Sequence, residues 1–284
     1  MGQSFYEADA AARAVFDEAS ELLGYDMKAL CFEENEKLNL TQYTQPAMVT
    51  TGIAIMKVVE KQGLLPDTAA GLSLGEYEAL YAAGALSATD AIRVVARRGE
   101  LMEAAVPAGV GAMAAVLGAE ASLIEETLSE IPEVWIANYN CPGQIVISGK
   151  KEAVEAAAEA LKARGIKRVL MLNVSGPFHS GLLREAGEEL GKVLAETEIH
   201  PLRIPYYANV TGEIVEDAAA VKGLLTEQVY SSVRFEQSIR NMLAAGVDTF
   251  YELGPGKTLA GFVKKIDREA TVVNIETMED LAKI

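Results

Sequence analysis

The chain has 284 residues, half of them apolar, enough to bury a large core. Its 41 acidic residues outnumber 25 basic ones and give a net charge of −16, which excludes nucleic acid and anionic membranes as general partners. Two cysteines, Cys31 and Cys141, and two histidines, His179 and His200, supply neither a disulfide framework nor a metal site. No apolar run reaches the ~18 residues of a membrane span and no signal peptide opens the chain, so a reducing, cytoplasmic setting is expected.

In chain order, residues 4–23 read as one amphipathic helix stopped by Gly24. Residues 25–40 read as a short helix and loop of mixed charge. Gln45-Pro46 opens an apolar helix to about Lys61, with proline in the first turn. Residues 69–86, AAGLSLGEYEALYAAGAL, hold Gly71, Ser73 and Gly75 in the pattern G-x-S-x-G. That pattern marks a strained strand-to-helix turn that lifts a serine hydroxyl above a sheet, with glycines two residues away on each side. The helix that follows aims its N-terminal amides at the serine, which makes the Leu74 N–H a candidate oxyanion donor. The competing reading is a glycine-rich loop with an incidental serine.

Ser87 to Asp90 has the form of a capping box and starts a helix from about 89 to 105. Its apolar stripe, Ala91, Val94, Val95, Leu101 and Met102, includes Arg98. A buried guanidinium needs an anion, because an unpaired buried charge costs several kcal/mol. Two partners suit it: a protein carboxylate, or a substrate carboxylate gripped by two parallel hydrogen bonds. After a linker at 107–111, strands are expected at 113–117, 134–139, 144–148 and 167–174, with helices at 121–130 and 150–164. That order, β-α-β-β-α-β, is the ferredoxin-like arrangement.

The loop NVSGPFHSGLL, 173–183, carries Ser175, Gly176, Pro177 and then His179 ahead of a helix to about Leu194. A histidine on a loop leaving a strand is well placed for chemistry; His200, before Pro201 in a connection, reads as incidental. A strand at 204–209, helices at 218–229 and 233–245, a strand at 247–253 and a helix from Lys257 complete the chain. An elbow serine needs a base, and His179 is the better of the two histidines. Serine, base and buried arginine together suggest transfer of a dicarboxylic acyl group.

At this point the sequence resembles the malonyl-CoA:acyl carrier protein transacylases of fatty-acid synthesis. The resembling segments are GLSLGEYEAL (71–80), RRGELMEAAVPAGVGAMAAVLG (97–118), NYNCPGQIVISG (138–149), PFHSGLL (177–183), ANVTG (208–212) and YELGPGKTLAGF (251–262). The resemblance implies an α/β protein: an α/β-hydrolase-like core with a parallel sheet, residues 1–111 and 175–284, and an inserted ferredoxin-like subdomain, 112–174. It implies Ser73 as nucleophile, His179 as base and Arg98 as the malonyl carboxylate ligand. Gln228, in EQVYSS, matches the residue whose main-chain carbonyl orients the histidine. Phe178 resembles the malonyl rather than the methylmalonyl type, and Gln45 falls among the substrate-binding residues. The implied reaction is ping-pong between malonyl-CoA and acyl carrier protein. Coenzyme A and phosphopantetheine enter as parts of the substrates, so no bound cofactor and no metal are expected, and the chain is expected to be a monomer.

Two departures stand out. Leu72 occupies a position where the family most often has histidine. Family members also open with a strand and a glycine-glutamine loop ahead of a segment like Met1-Gly2-Gln3-Ser4, and this sequence lacks that stretch. With it, on the resemblance, go a sheet strand and a second oxyanion amide, a donor worth about 10²–10³ in rate. The alternatives are an acyltransferase serving a polyketide synthase in trans, a serine hydrolase or thioesterase, and a weakly active carrier-protein-binding relative.

Overall fold

The computed structural model describes residues 1–174 and 176–284; Ser175, at the head of the histidine loop, lies outside the described residues. The expected first helix is two, α1 (Gln3–Ala8) and α2 (Ala10–Leu23). Asp9 divides them, because its extended backbone lets its carboxylate accept the Ala11 N–H at 2.7 Å and cap the second helix. Gly24, left-handed at φ 74°, closes α2 as expected. Asp26 caps α3 (Met27–Phe32).

Helix α4 (Thr41–Lys61) begins five residues before Pro46, which therefore sits inside it rather than at its first turn. The extra turn is supported from outside: the Glu103 carboxylate accepts the Gln42 N–H at 3.0 Å. Strand β1 (Ala69–Ala70) leads through the elbow to α5 (Gly75–Ala82), and Ser87 caps α6 (Ala88–Ala104). α6 packs close to the start of α4 at Gly99, where a Cβ would lie 2.8 Å from the Thr41 carbonyl oxygen. This places Arg98 beside α4, in a core built from Ile53, Ile55, Val94, Val95 and their neighbours.

The middle of the chain keeps the expected β-α-β-β-α-β order. It runs β2 (Gly111–Leu117), α7 (Ala121–Ser129), β3 (Val134–Cys141), β4 (Gln144–Lys150), α8 (Lys151–Ala163) and β5 (Arg168–Met171). The four strands form one antiparallel sheet in the order β3-β4-β2-β5. Ile124, Leu128, Val154 and Leu161 of the two helices pack with Val116, Ile145 and Ile147 of the strands. A second small cluster, Met113, Ala137 and Val146, meets Phe178. β5 is an edge strand and stops at Met171, short of the expected 174.

The rest of the chain is α9 (Arg184–Glu196), β6 (Tyr206–Tyr207), β7 (Ile214–Val215), α10 (Val221–Gln228), α11 (Phe235–Ala244), β8 (Thr249–Leu253), α12 (Thr258–Ile266), β9 (Thr271–Ile275) and α13 (Met278–Leu281). The sequence reading missed β7, β9 and α13. It also expected one parallel sheet, whereas the described residues form two pieces: β1 parallel to β6, which pairs antiparallel with β7, and β8 parallel to β9. β1 and β8 do not pair. Both border a groove of about 680 Å³ whose lining includes Ala69, Glu78, Phe250 and Leu253.

Candidate active site

Ser73 sits in the turn between β1 and α5 with φ 52°, a left-handed conformation that costs a non-glycine residue of order 1 kcal/mol or more. Gly71 makes the turn sterically possible: a Cβ there would fall 2.0 Å from the Gly75 carbonyl group. The second glycine is not needed for the reason the motif suggests, because a Cβ on Gly75 would meet open space. Asn209, just after β6, ties the turn down. Its Oδ1 accepts the Ser73 N–H at 2.5 Å, and its Nδ2 donates to the Gly71 carbonyl at 2.6 Å. The Leu74 N–H, at the head of α5, is bonded to no other described residue. Leu72, partly buried, packs with the apolar cluster of Tyr207, Val233 and Phe235.

His179 lies on the loop before α9, 4 % exposed and itself at φ 56°. The Gln228 carbonyl can only accept, so the 2.8 Å contact from Nδ1 fixes the proton there. Nε2 is then the free lone pair, and it meets Ser73 Oγ at 2.7 Å. Burial, with Arg98 nearby, lowers the imidazole pKa to about 4 despite the opposing pull of the Gln228 carbonyl. At neutral pH this is a neutral base hydrogen-bonded to a hydroxyl. Five residues on from Gln228, Val233 exchanges backbone hydrogen bonds with Ala137 and Tyr139 of β3.

Arg98 is 2 % exposed. Its Nη1 donates to Gln45 Oε1 at 2.7 Å, and its Nη2 donates to Ser73 Oγ and to Gln228 Oε1, both at 3.0 Å. All three acceptors are neutral. Among the described residues no carboxylate forms an ion pair with it. Of the two partners left open by the sequence, a direct protein carboxylate is therefore absent among the described residues. Gln45, on the first turns of α4, also donates through Nε2 to Met102 Sδ at 3.5 Å.

Phe178, partly buried, stands between the main core and the cluster of Met113, Ala137 and Val146. His200 is outside this assembly: its side chain is 44 % exposed and lies 3.5 Å from Glu198. The structure thus brings together Ser73, His179, Arg98, Gln45 and Gln228, with Leu74 and Phe178 adjacent in sequence to the first two.

Two residues escaped the sequence reading. Asn209 belongs to the segment ANVTG, which carried the resemblance without suggesting a role. Glu76, in the first turn of α5, was given no role at the site. It is instead 0 % exposed, and its Oε2 accepts from Gln228 Nε2 at 2.7 Å and from the Asn209 N–H at 3.2 Å.

The family described as acyl transferase domain matches residues 1–280. The malonyl CoA-acyl carrier protein transacylase of Bacillus subtilis is 47 % identical over 99 % of this chain and 90 % of its own length. The crystal structure of a malonyl CoA-acyl carrier protein transacylase from Clostridium perfringens is 42 % identical, covers all of this chain and 90 % of its own, and superposes with a TM-score of 0.96. A malonyl-transacylase solved in complex with its type II PKS acyl-carrier protein covers all of this chain and 93 % of its own at 38 % identity, also with a TM-score of 0.96.

Proposed function

As the chain belongs to the acyl transferase domain family, we propose that it moves a malonyl group from malonyl-CoA to the phosphopantetheine thiol of acyl carrier protein, in fatty-acid biosynthesis, through an ester on Ser73. His179 Nε2 takes the Ser73 Oγ proton as the oxygen attacks the thioester carbonyl. The carbonyl oxygen becomes an oxyanion beside the Leu74 N–H. When the C–S bond breaks, the protonated imidazole returns its proton to the departing coenzyme A sulfur. The second half runs in reverse: His179 takes the carrier-protein thiol proton, the sulfur attacks the ester, and the proton returns to Ser73 Oγ. Gln228, through its main-chain carbonyl, holds the tautomer that makes both halves work.

One observation carries the choice of acyl group. Arg98 is a buried guanidinium beside the nucleophile with only neutral oxygens on its fork. A malonyl carboxylate supplies the anion, and it can displace Ser73 Oγ and a glutamine oxygen from the fork. A hydrolase acting on an uncharged acyl chain has no use for this group. Gln45 shares the guanidinium fork through its Oε1, and on the family resemblance Phe178 favours malonyl over methylmalonyl.

The fold reading follows the same line: an α/β-hydrolase-like core, residues 1–111 and 175–284, around the elbow, with a ferredoxin-like subdomain at 112–174. Its support is the β-α-β-β-α-β order and the antiparallel sheet order β3-β4-β2-β5. Cys31 and Cys141 are buried and unpaired, which fits a reducing compartment. The chemistry asks for no group beyond those the two substrates carry.

The test is mass spectrometry of the intact protein with malonyl-CoA. A malonyl adduct on Ser73, lost in Ser73→Ala and discharged by carrier protein, is the expected result. An adduct on Cys31, Cys141 or another serine sinks the elbow assignment. Loss of the adduct to water without carrier protein indicates a hydrolase.

A further inference from the structure

Glu76 is the only carboxylate in the hydrogen-bond network that joins Ser73, Arg98, Gln228 and Asn209 among the described residues. Gln228 lies between it and Arg98: Oε1 accepts from the guanidinium, while Nε2 donates to Glu76 Oε2 and also to the Ser73 carbonyl at 2.8 Å. Resting on the transfer reading above, the geometry points to Glu76 as a positioning residue that sets how strongly Arg98 prefers an acyl group bearing a carboxylate, by holding a compensating charge one amide away.

The reasoning is a count of buried charge. With the pocket empty, an ionised Glu76 cancels Arg98, and the fork stays free because the two are separated by Gln228. A malonyl carboxylate brings a second negative charge into the same enclosed volume. The cluster is neutral with substrate bound only if Glu76 takes up a proton. Glu76 Oε1 has no partner among the described residues, so the carboxyl has an open position for that proton. Burial already raises Glu76 to about 7, against the opposing pull of Gln228, the Asn209 N–H and Arg98.

The other groups facing Glu76 do not compete for the proton. Tyr77, next to it on α5, and Tyr206, on β6, are buried phenols pushed well above their usual range, so both stay neutral. Arg98, from α6, stays cationic. His179, which feels Arg98 from the opposite loop, titrates several pH units lower.

Two effects of removing the Glu76 charge would oppose each other, and the structure decides between them. If Glu76 served to orient the Gln228 amide, its loss would disorder the fork and weaken malonyl binding. The Ser73 carbonyl holds the same Nε2 independently, so the orientation survives. What remains is electrostatic: Glu76→Gln leaves Arg98 uncompensated and strengthens its hold on a carboxylate. One unit charge across one amide, at an effective dielectric near 20, is worth about tenfold in affinity.

The experiment measures KM and kcat of the full chain for malonyl-CoA and acetyl-CoA from about pH 5.5 to 8.5, for the wild type and Glu76→Gln. In the wild type, KM for malonyl-CoA rises about tenfold as pH climbs through Glu76 ionisation, while KM for acetyl-CoA does not follow. Glu76→Gln keeps the low malonyl KM at every pH. A wild-type malonyl-to-acetyl KM ratio that is flat with pH overturns the proposal, and does so even if the variant fails to fold. A variant with raised malonyl KM also overturns it, in favour of an orienting role. A wild type that transfers no malonyl at any pH instead brings down the transfer reading, and this proposal with it.

Discussion

Replacing Arg98 by alanine tests the assignment of the acyl group. The fork offers Nη1 and Nη2 to an incoming carboxylate, and a charge-assisted bidentate contact is worth about 1.5–3 kcal/mol, roughly ten- to a hundredfold. Acetyl has no carboxylate and gains nothing from the contact. Arg98→Ala therefore lowers kcat/KM for malonyl-CoA by that factor relative to acetyl-CoA. The same substitution strips a donor from Gln45 Oε1 and from Gln228 Oε1, both buried, at about 1–3 kcal/mol each, partly offset because the desolvation of Arg98 is also removed. The melting temperature falls as well, so stability alone proves nothing. The decisive number is the malonyl-to-acetyl ratio of kcat/KM, measured beside the melting temperature. Arg98→Lys recovers part of the ratio, since an ammonium supplies charge without the fork. A ratio unchanged in Arg98→Ala, with only stability lost, refutes the substrate-carboxylate assignment.

Three further outcomes follow from the ionisable groups around the elbow. His179→Ala lowers transfer by several orders of magnitude, and the exposed His200→Ala leaves it near the wild-type value; equal losses in steady-state rates contradict the assignment. With acetyl-CoA, the acid limb of kcat/KM lies near pH 4, where His179 gains its proton, rather than near the usual histidine value. Glu78, raised to about 8 by burial, adds stability that is complete below the ordinary carboxylate range and lost as pH rises through that value. Glu78→Gln accordingly raises the melting temperature most in alkaline buffer, less in mild acid, and leaves it unchanged only below the ordinary carboxylate value of 4.5; calorimetry showing the same shift across that range refutes the sign.

The site was legible where chemistry constrains residue type. G-x-S-x-G marks a backbone conformation, and Gly71 meets its steric demand; Arg98 on an apolar stripe announces a buried charge. Asn209 and Glu76 were not legible, because their function comes from where β6 and α5 bring them together, and nothing local in ANVTG or GEYEAL reports that meeting. In the fold, the β-α-β-β-α-β order from β2 to β5 was readable because turn signals separate its short apolar strands from its helices. The single helix expected at 4–23 failed at Asp9, since helical periodicity persists across a one-residue cap. Pro46 misled in the opposite direction: it marks a helix start only when the upstream N–H groups lack other acceptors, and Glu103 supplies one.

The groove between β1 and β8 gives the acidic surface a second meaning. Each strand leaves one ladder edge without a neighbour among the described residues, and such edges are templates for pairing between molecules. Glu60, Asp67, Asp248 and Glu252 line the same groove and carry like charge. Two copies approaching edge to edge would press these carboxylates together against a background of −16 on each chain. That repulsion is screened beyond about 8 Å at physiological ionic strength and beyond about 3 Å in molar salt. The colloidal behaviour of this protein should accordingly worsen with added salt, the reverse of a protein whose edges are capped by structure rather than by charge.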